Sequence, residues 1–280
     1  WRNYCMKPDH WDRGSQEPYP EQFNTRCSEA ATGIHLAACE LNRGFMLSEG
    51  YSADRMFVVG NSVADATMQA VENAENAENA TIFEKYPVLA DGDFVRFCIH
   101  RRENCISEQR FMAIFHAMKQ IIESGKKVLL ISLNQTKKAF ERFDLNDEVN
   151  RLDAEYDNFV YSEVWPQYTD VIAAMMRAAV CATDSGSMQE EMNILGIPCV
   201  TLRFGSDRSE SIIAGANVLA PPIDADFIVK MIEGAWNNQA MKDIPNLYGE
   251  NVSEQCVDAV LEVLNRDEDV FRDEGARLGF

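Results

Sequence analysis

From residue 94 onward, short apolar runs alternate with segments whose apolar positions recur at helical spacing, the pattern of a parallel sheet covered by helices. The runs fall at 94–99, 127–133, 158–164, 180–183, 199–202 and 217–219. Between the first two, Phe111, Ile114, Phe115, Met118, Ile121 and Ile122 form a single stripe on a helix that begins near Ser107. Further stripes occupy 169–179, 188–195, 227–236 and 252–264, each followed by turn or polar residues. The rear of the chain is therefore predicted to be α/β, a doubly wound parallel-sheet domain.

The front reads differently. Residues 27–48 look helical, 57–59 form a short strand closed by Gly60, and 63–80 carry a threefold Glu-Asn-Ala repeat that reads as a solvated helix face or linker. One obvious strand in so short a segment falls below the ~100–150 residues of a typical domain, so the front is read as the rear half of a Rossmann-like N-terminal domain. Residues 1–26, rich in Pro, Asp, Arg and aromatic side chains, read as an exposed loop entering it. The expected division is 1–65 for the partial front domain, 66–90 for a linking helix, 91–250 for a ligand-binding domain and 251–280 for a final helix and tail. A chain opening on Trp1 instead of Met reads as a piece of something longer.

Composition changes this picture in one respect. The 280 residues are 46% hydrophobic and 25% charged, ordinary for a globular chain, but 26 Lys and Arg against 45 Asp and Glu leave a formal charge of −19. Long-range repulsion disfavours nonspecific binding to nucleic acid or to an acidic membrane. An anionic small molecule must then be held by local cations and oriented backbone dipoles. Eight scattered cysteines (Cys5, Cys27, Cys39, Cys98, Cys105, Cys181, Cys199 and Cys256) show neither Cys-x-x-Cys nor zinc spacing, so buried free thiols are expected. With no signal peptide and no apolar run of membrane-spanning length, the expected setting is cytoplasmic.

Open parallel sheets bind ligands outside the carboxyl ends of their strands. Three such ends carry polar chemistry here. The first, His100-Arg101-Arg102-Glu103-Asn104, releases an imidazole and two guanidiniums from a buried strand and reads either as an anion clamp or as a solvated loop with internal ion pairs. The second, Thr183-Asp184-Ser185-Gly186-Ser187, runs into a helix whose N–H groups and dipole attract phosphate without a cationic side chain. Glu190 there is expected to do no more than favour the dipole, whereas Glu191, one position further round, could accept hydrogen bonds from a ribose diol. The third end, around Arg208, places a guanidinium where it could reach a diphosphate on the neighbouring loop, with Asp207 and Glu210 as its alternative partners. Together the three point to a nucleotide diphosphate site.

These segments resemble the non-hydrolysing UDP-N-acetylglucosamine 2-epimerases, which have the two-domain GT-B fold. The likeness rests on Pro20-Glu21-Gln22-Phe23-Asn24, Val58-Val59-Gly60-Asn61-Ser62-Val63-Ala64-Asp65, His100-Arg101-Arg102-Glu103-Asn104 and Thr183-Asp184-Ser185-Gly186-Ser187-Met188-Gln189-Glu190-Glu191. It implies interconversion of UDP-N-acetylglucosamine and UDP-N-acetylmannosamine, through elimination of UDP to a glycal and re-addition. On that resemblance Glu21, His100 and Arg208 are catalytic; His100, Ser185, Gly186, Ser187, Glu191 and Arg208 bind UDP; and no metal or other cofactor is needed. A UDP-sugar is the expected partner, without nucleic acid or membrane, in a homodimer serving cell-surface polysaccharide synthesis. Departures from the family pattern are Ser187 for a usual Gly, Gln22 for a second Glu, and Val171 where an aromatic often packs near the uracil. Alternatives are an epimerase of a diacetamido uronic sugar nucleotide, a hydrolysing form, a GT-B glycosyltransferase and an inactive UDP-binding fragment.

Overall fold

The computed structural model describes residues 4–5, 24, 27–28, 32–76 and 81–266. After β1 (Tyr4–Cys5), the front unit comprises β2 (His35–Ala37), α1 (Glu40–Glu49), β3 (Met56–Val58), α2 (Val63–Asn76) and α3 (Thr81–Lys85). The rear unit runs β4 (Phe94–Cys98), α4 (Arg102–Cys105), α5 (Glu108–Glu123), β5 (Lys127–Ile131), α6 (Asn134–Arg142), α7 (Asn146–Glu155), β6 (Phe159–Ser162), α8 (Tyr168–Met175), β7 (Ala178–Thr183) and α9 (Gly186–Ile194). It continues through β8 (Cys199–Thr201), β9 (Gly205–Ser206), α10 (Ser209–Ala214), β10 (Asn217–Leu219), α11 (Ala225–Ala235) and α12 (Gln239–Lys242), and the chain then enters α13 (Val252–Leu264).

Six strands in the order β10-β8-β7-β4-β5-β6 form one all-parallel sheet. Its alternation divides the core. Val95 and Phe97 face one apolar cluster together with Val128, Leu130, Val180 and Ala182, while Phe94, Cys98, Leu129, Ile131 and Cys181 face the other. Period-two side-chain alternation with both faces covered by helices is what makes every residue of β4 buried. On one side α5 presents the predicted stripe, with Phe111, Ile114, Phe115, Met118, Ile121 and Ile122 all buried, and the Ser107 hydroxyl caps its N-terminus by accepting from the Arg110 N–H. Asp224 caps α11 in the same way through the Phe227 N–H at 2.8 Å. On the other side lie α8 and α9, whose Met175, Met188 and Met192 join the second cluster. Cys98, Cys105, Cys181 and Cys199 are buried free thiols, and burial pushes the Cys98 thiol up to about 12.

Counted from the first strand of the unit, the sheet order is 3-2-1-4-5-6, so the winding reverses between β4 and β7. Helical connections leaving those two strands diverge to opposite faces, and the crevice between their carboxyl ends stays open. That crevice receives His100 from β4 and Ser185 from β7.

The front unit corrects the expectation of a helix over 27–48. His35–Ala37 is a strand, paired in parallel with Met56–Val58, and the helix starts only at Glu40. The alanine-rich stretch has helical propensity, but a parallel partner overrides it. Within 66–90, Thr67 and Ala70 of α2 are buried, and α2 packs on α8 and α9 of the rear unit. Glu72, Asn73 and Glu75, from the start of the Glu-Asn-Ala repeat, face solvent.

Among the described residues, the units meet where the chain passes Gly60 and where it returns into α13. Gly60 has φ of +95°, and a Cβ there would strike the carbonyl oxygen of Tyr248, so glycine is required on both conformational and steric grounds. Asn61 N–H donates to that same carbonyl at 2.8 Å. Asp65, on α2, accepts from the N–H groups of Val252 and Ser253 and from the Ser253 hydroxyl, at 3.0, 2.7 and 2.6 Å. A front-unit carboxylate thereby caps α13, which also returns to the front through Arg266, donating to the Asp54 carbonyl oxygen at 2.8 Å.

Candidate functional site

Asp184 organises the crevice. Its carboxylate is fully buried and accepts the His100 N–H at 2.9 Å, the Arg101 N–H at 3.0 Å and the Asn104 side-chain amide at 3.0 Å. Asn104 also donates to the Leu202 carbonyl oxygen at 2.9 Å. One acidic side chain thus ties the loop after β4 to the end of β7, with Asn104 reaching the end of β8. His100 Nδ1 lies 3.5 Å from Asp184 Oδ1, an arrangement that turns Nε2 to the other side of the ring, away from the carboxylate.

The Ser185–Ser187 turn follows directly. The Thr183 hydroxyl donates to the Cys98 carbonyl oxygen at 3.1 Å and accepts from the Ser185 N–H at 3.0 Å. Ser185 then caps α9 by accepting from the Met188 N–H. Helical geometry leaves the first-turn N–H groups of Gly186 and Ser187 without intrahelical acceptors, directed out of the helix end. A Cβ placed on Gly186 would lie 3.3 Å from Arg208 Nη2 and 3.5 Å from Arg101 Nη2. Two guanidiniums from different strand ends therefore converge over a helix N-terminus at a glycine, a concentration of positive potential that can seat a diphosphate inside a strongly acidic protein.

Arg208 is fixed from three sides. Gln189, fully buried, donates to the Ser185 carbonyl oxygen at 2.9 Å and accepts from the Ser206 hydroxyl at 2.5 Å, which in turn accepts from the Arg208 N–H at 2.9 Å. Asp207 bridges Arg203 Nη1 at 2.8 Å and Arg208 Nη1 at 3.0 Å. Burial opposes the Asp207 charge, but Arg203 and Arg208 outweigh it and hold the carboxyl down at about 2. The Arg208 Nε donates to Glu190, whose Oε1 also accepts the Asn61 amide at 2.9 Å.

Glu190 therefore corrects the expectation that it serves only the helix dipole. It lies beyond the first turn of α9, is buried, and joins the guanidinium to the front unit. Burial pushes its carboxyl up to about 7 against the pull of Arg208, with Glu210 and Asp207 adding to the rise. Because that value lies above the ordinary 4.5, the protonated form contributes stability that is complete below about pH 4.5 and is lost as pH rises through about 7. Glu190→Gln is accordingly expected to gain about 3 kcal/mol on the parent between pH 4.5 and 7.5. Urea denaturation across that range measures the difference, and a constant gap between the two proteins would contradict the assignment.

Glu191 faces the other way, accepting a hydrogen bond from the Tyr168 hydroxyl at 3.0 Å. Ser187 is exposed, its hydroxyl 3.3 Å from that of Ser185. Of the partners considered for Arg208, Asp207 is engaged, whereas Glu210 accepts instead from the buried Tyr248 hydroxyl at 3.1 Å. Beside Arg208 opens a cleft of about 220 Å³, walled by Glu190, Asp207 and Glu210 of the rear unit and by Ala38, Asn42 and Asn61 of the front. Glu21 lies outside the described residues. Asp184, Asn104, Gln189 and Asn61 carry no role in the sequence reading. Asp184 directly flanks an apolar strand end, but its meaning depends on which strands adjoin, while Asn104 and Gln189 lie inside helices and Asn61 follows a short strand, where sequence alone marks them only as polar.

The UDP-N-acetylglucosamine 2-epimerase family model matches residues 10–262 of the chain. The UDP-N-acetylglucosamine 2-epimerase of Methanocaldococcus jannaschii is 30% identical over 244 residues, covering 86% of this chain and 64% of that protein. The enzyme of the same name from Salmonella typhimurium is 30% identical over 247 residues, covering 84% and 62%. The chain thus spans a little under two thirds of the length of these relatives. The crystal structure of the M. jannaschii UDP-GlcNAc 2-epimerase, in complex with UDP-GlcNAc and UDP, superposes with a TM-score of 0.75 at 28% identity, covering 87% of this chain and 65% of that one. The architecture is GT-B. The family match runs through the strand ends that carry His100, Ser185 and Arg208, and this chain belongs to the UDP-N-acetylglucosamine 2-epimerase family.

Proposed function

We propose that the chain binds UDP-N-acetylglucosamine and inverts its C2 centre to give UDP-N-acetylmannosamine. The observation that carries this reading is the convergence of Arg101 and Arg208 over Gly186 at the N-terminus of α9, at the reversal point of the sheet. Removal of the C2 proton by a base and departure of UDP from C1 with the C1–O electron pair form the C1=C2 double bond of a glycal. Return of UDP to C1, with protonation of C2 on the opposite face, completes the inversion. Charge develops on the β-phosphate as the C1–O bond breaks. Fixed guanidiniums and helix N–H groups stabilise that charge without reorganising, which lowers the barrier and keeps UDP in place for re-addition. His100, with Nε2 turned away from Asp184, supplies a further donor toward the diphosphate. Ser185, Gly186 and Ser187 seat it through the turn, Glu191 holds the ribose, and the sugar extends into the cleft between the units.

C2 chemistry needs acid and base groups whose pKa values are driven apart. In this reading Glu21 contributes one such carboxylate from the front side of the cleft. The working assembly is taken to be a homodimer in the cytoplasm. Buried free thiols fit a reducing compartment, and no helix among the described residues is long and apolar enough to cross a membrane.

Incubation with UDP-N-acetylglucosamine in deuterated water is the test. Deuterium at C2 with UDP retained in the sugar nucleotide is the expected result. Stoichiometric free UDP would identify a hydrolysing form, and acceptor-dependent UDP release without exchange would identify a transferase. UDP binding without exchange or release would reduce the chain to a binding fragment.

A further inference from the structure

Glu191 is held by a group that belongs to none of the three strand-end loops. The Tyr168 hydroxyl, on the first residue of α8, lies 3.0 Å from Glu191 Oε1 and 3.2 Å from the hydroxyl of Thr67, a fully buried residue of α2. The proton directions in this chain of three are fixed by chemistry. An ionised carboxylate only accepts, so Tyr168 donates to Glu191, and Thr67 then donates to the phenolic oxygen. Burial pushes the Glu191 carboxyl up, and the Tyr168 hydrogen bond, with the buried Arg96 behind it, pulls it back toward the charged form. Oε1 is taken by the phenol. Among the described residues Oε2 has no protein hydrogen bond and can accept one from a ligand.

We propose that Tyr168 is a positioning residue that orients Glu191 to accept the ribose 2′-hydroxyl, with Thr67 of α2 setting the direction of the phenolic proton. This rests on the UDP-sugar reading above and adds to it a determinant of ribose over deoxyribose. The Tyr168→Phe substitution keeps the ring and removes only the oxygen that lies between Thr67 and Glu191. Glu191 then loses its anchor, and a carboxylate free to rotate pays ordering entropy on meeting the diol.

Calorimetric titration of the chain with uridine diphosphate and with 2′-deoxyuridine diphosphate tests the assignment. The parent is expected to prefer the ribonucleotide by about tenfold, the worth of one hydrogen bond to a charged group. In Tyr168→Phe the ribonucleotide should weaken about five- to tenfold and the deoxynucleotide less than about twofold, so that the preference nearly vanishes. Thr67→Val, similar in shape, should lose about half of the preference on a logarithmic scale. A side chain that merely supports the fold would weaken both nucleotides equally, and a preserved ratio in Tyr168→Phe overturns the proposal while leaving the UDP site intact. Failure of the parent to bind uridine diphosphate at all would overturn both this inference and the function it rests on.

Discussion

Replacing Arg208 by alanine is expected to weaken UDP binding by about two to three orders of magnitude. Truncating one partner of a desolvated, hydrogen-bonded charge pair typically costs 2–5 kcal/mol, and about 3 kcal/mol corresponds to a hundredfold. The magnitude follows from how Arg208 is held. Its guanidinium reaches Gly186 because Asp207, Glu190 and the Gln189–Ser206 strut fix it from behind. The entropy of ordering that side chain is thus already spent before a ligand arrives. Lysine at 208 should recover part of the affinity through its charge but not the planar fork. Isothermal titration with UDP reads the effect directly, and an Arg208→Ala protein that binds within about threefold of the parent would remove this guanidinium from the site.

Asp184→Ala is expected to destabilise the chain by about 3–5 kcal/mol, a large share of a typical 5–15 kcal/mol total. Three donors, the N–H groups of His100 and Arg101 and the amide of Asn104, would lose their shared acceptor. Each buried donor left unsatisfied costs roughly 1–3 kcal/mol. Asp184→Asn retains one acceptor oxygen but turns an amide toward a ring of donors, so it should fall between the two. Urea denaturation supplies the comparison, and a loss below about 1 kcal/mol for the alanine variant would show that the loop after β4 is held by other means. Because His100 and Arg101 hang on the same carboxylate, the UDP affinity of both variants should fall along with stability.

Most of the rear unit was legible before any coordinates, and the reason is burial on both faces. Strands such as β4, apolar but for Arg96, and the six-residue stripe of α5 point to a covered parallel sheet. His35-Leu36-Ala37 offered no comparable signal. It has no β-branched residue, and its strand character comes from pairing with residues about twenty positions away. In the site, Ser185, Gly186 and Arg208 stood out because polar residues interrupt an apolar pattern where a strand must end. Asp184 sits in the same motif, yet its work is done on donors some eighty residues distant, and only the adjacency of β4 and β7 reveals it. The choice between Glu190 and Glu191 turned on about 100° of helical rotation. Which of the two meets Arg208 depends on where the front unit lies against α9, and a single helix cannot state that.

Asp65 joins the start of the last helix to α2 through three hydrogen bonds. With α13 capped by Asp65 and Arg266 donating to the Asp54 carbonyl oxygen, the last helix is tied to residues on both sides of Gly60. Around Gly60 and Gly249 the two backbones are pressed against each other. A side chain at Gly60 would meet the Tyr248 carbonyl oxygen, so the seam where these two stretches of backbone touch has room for glycine alone.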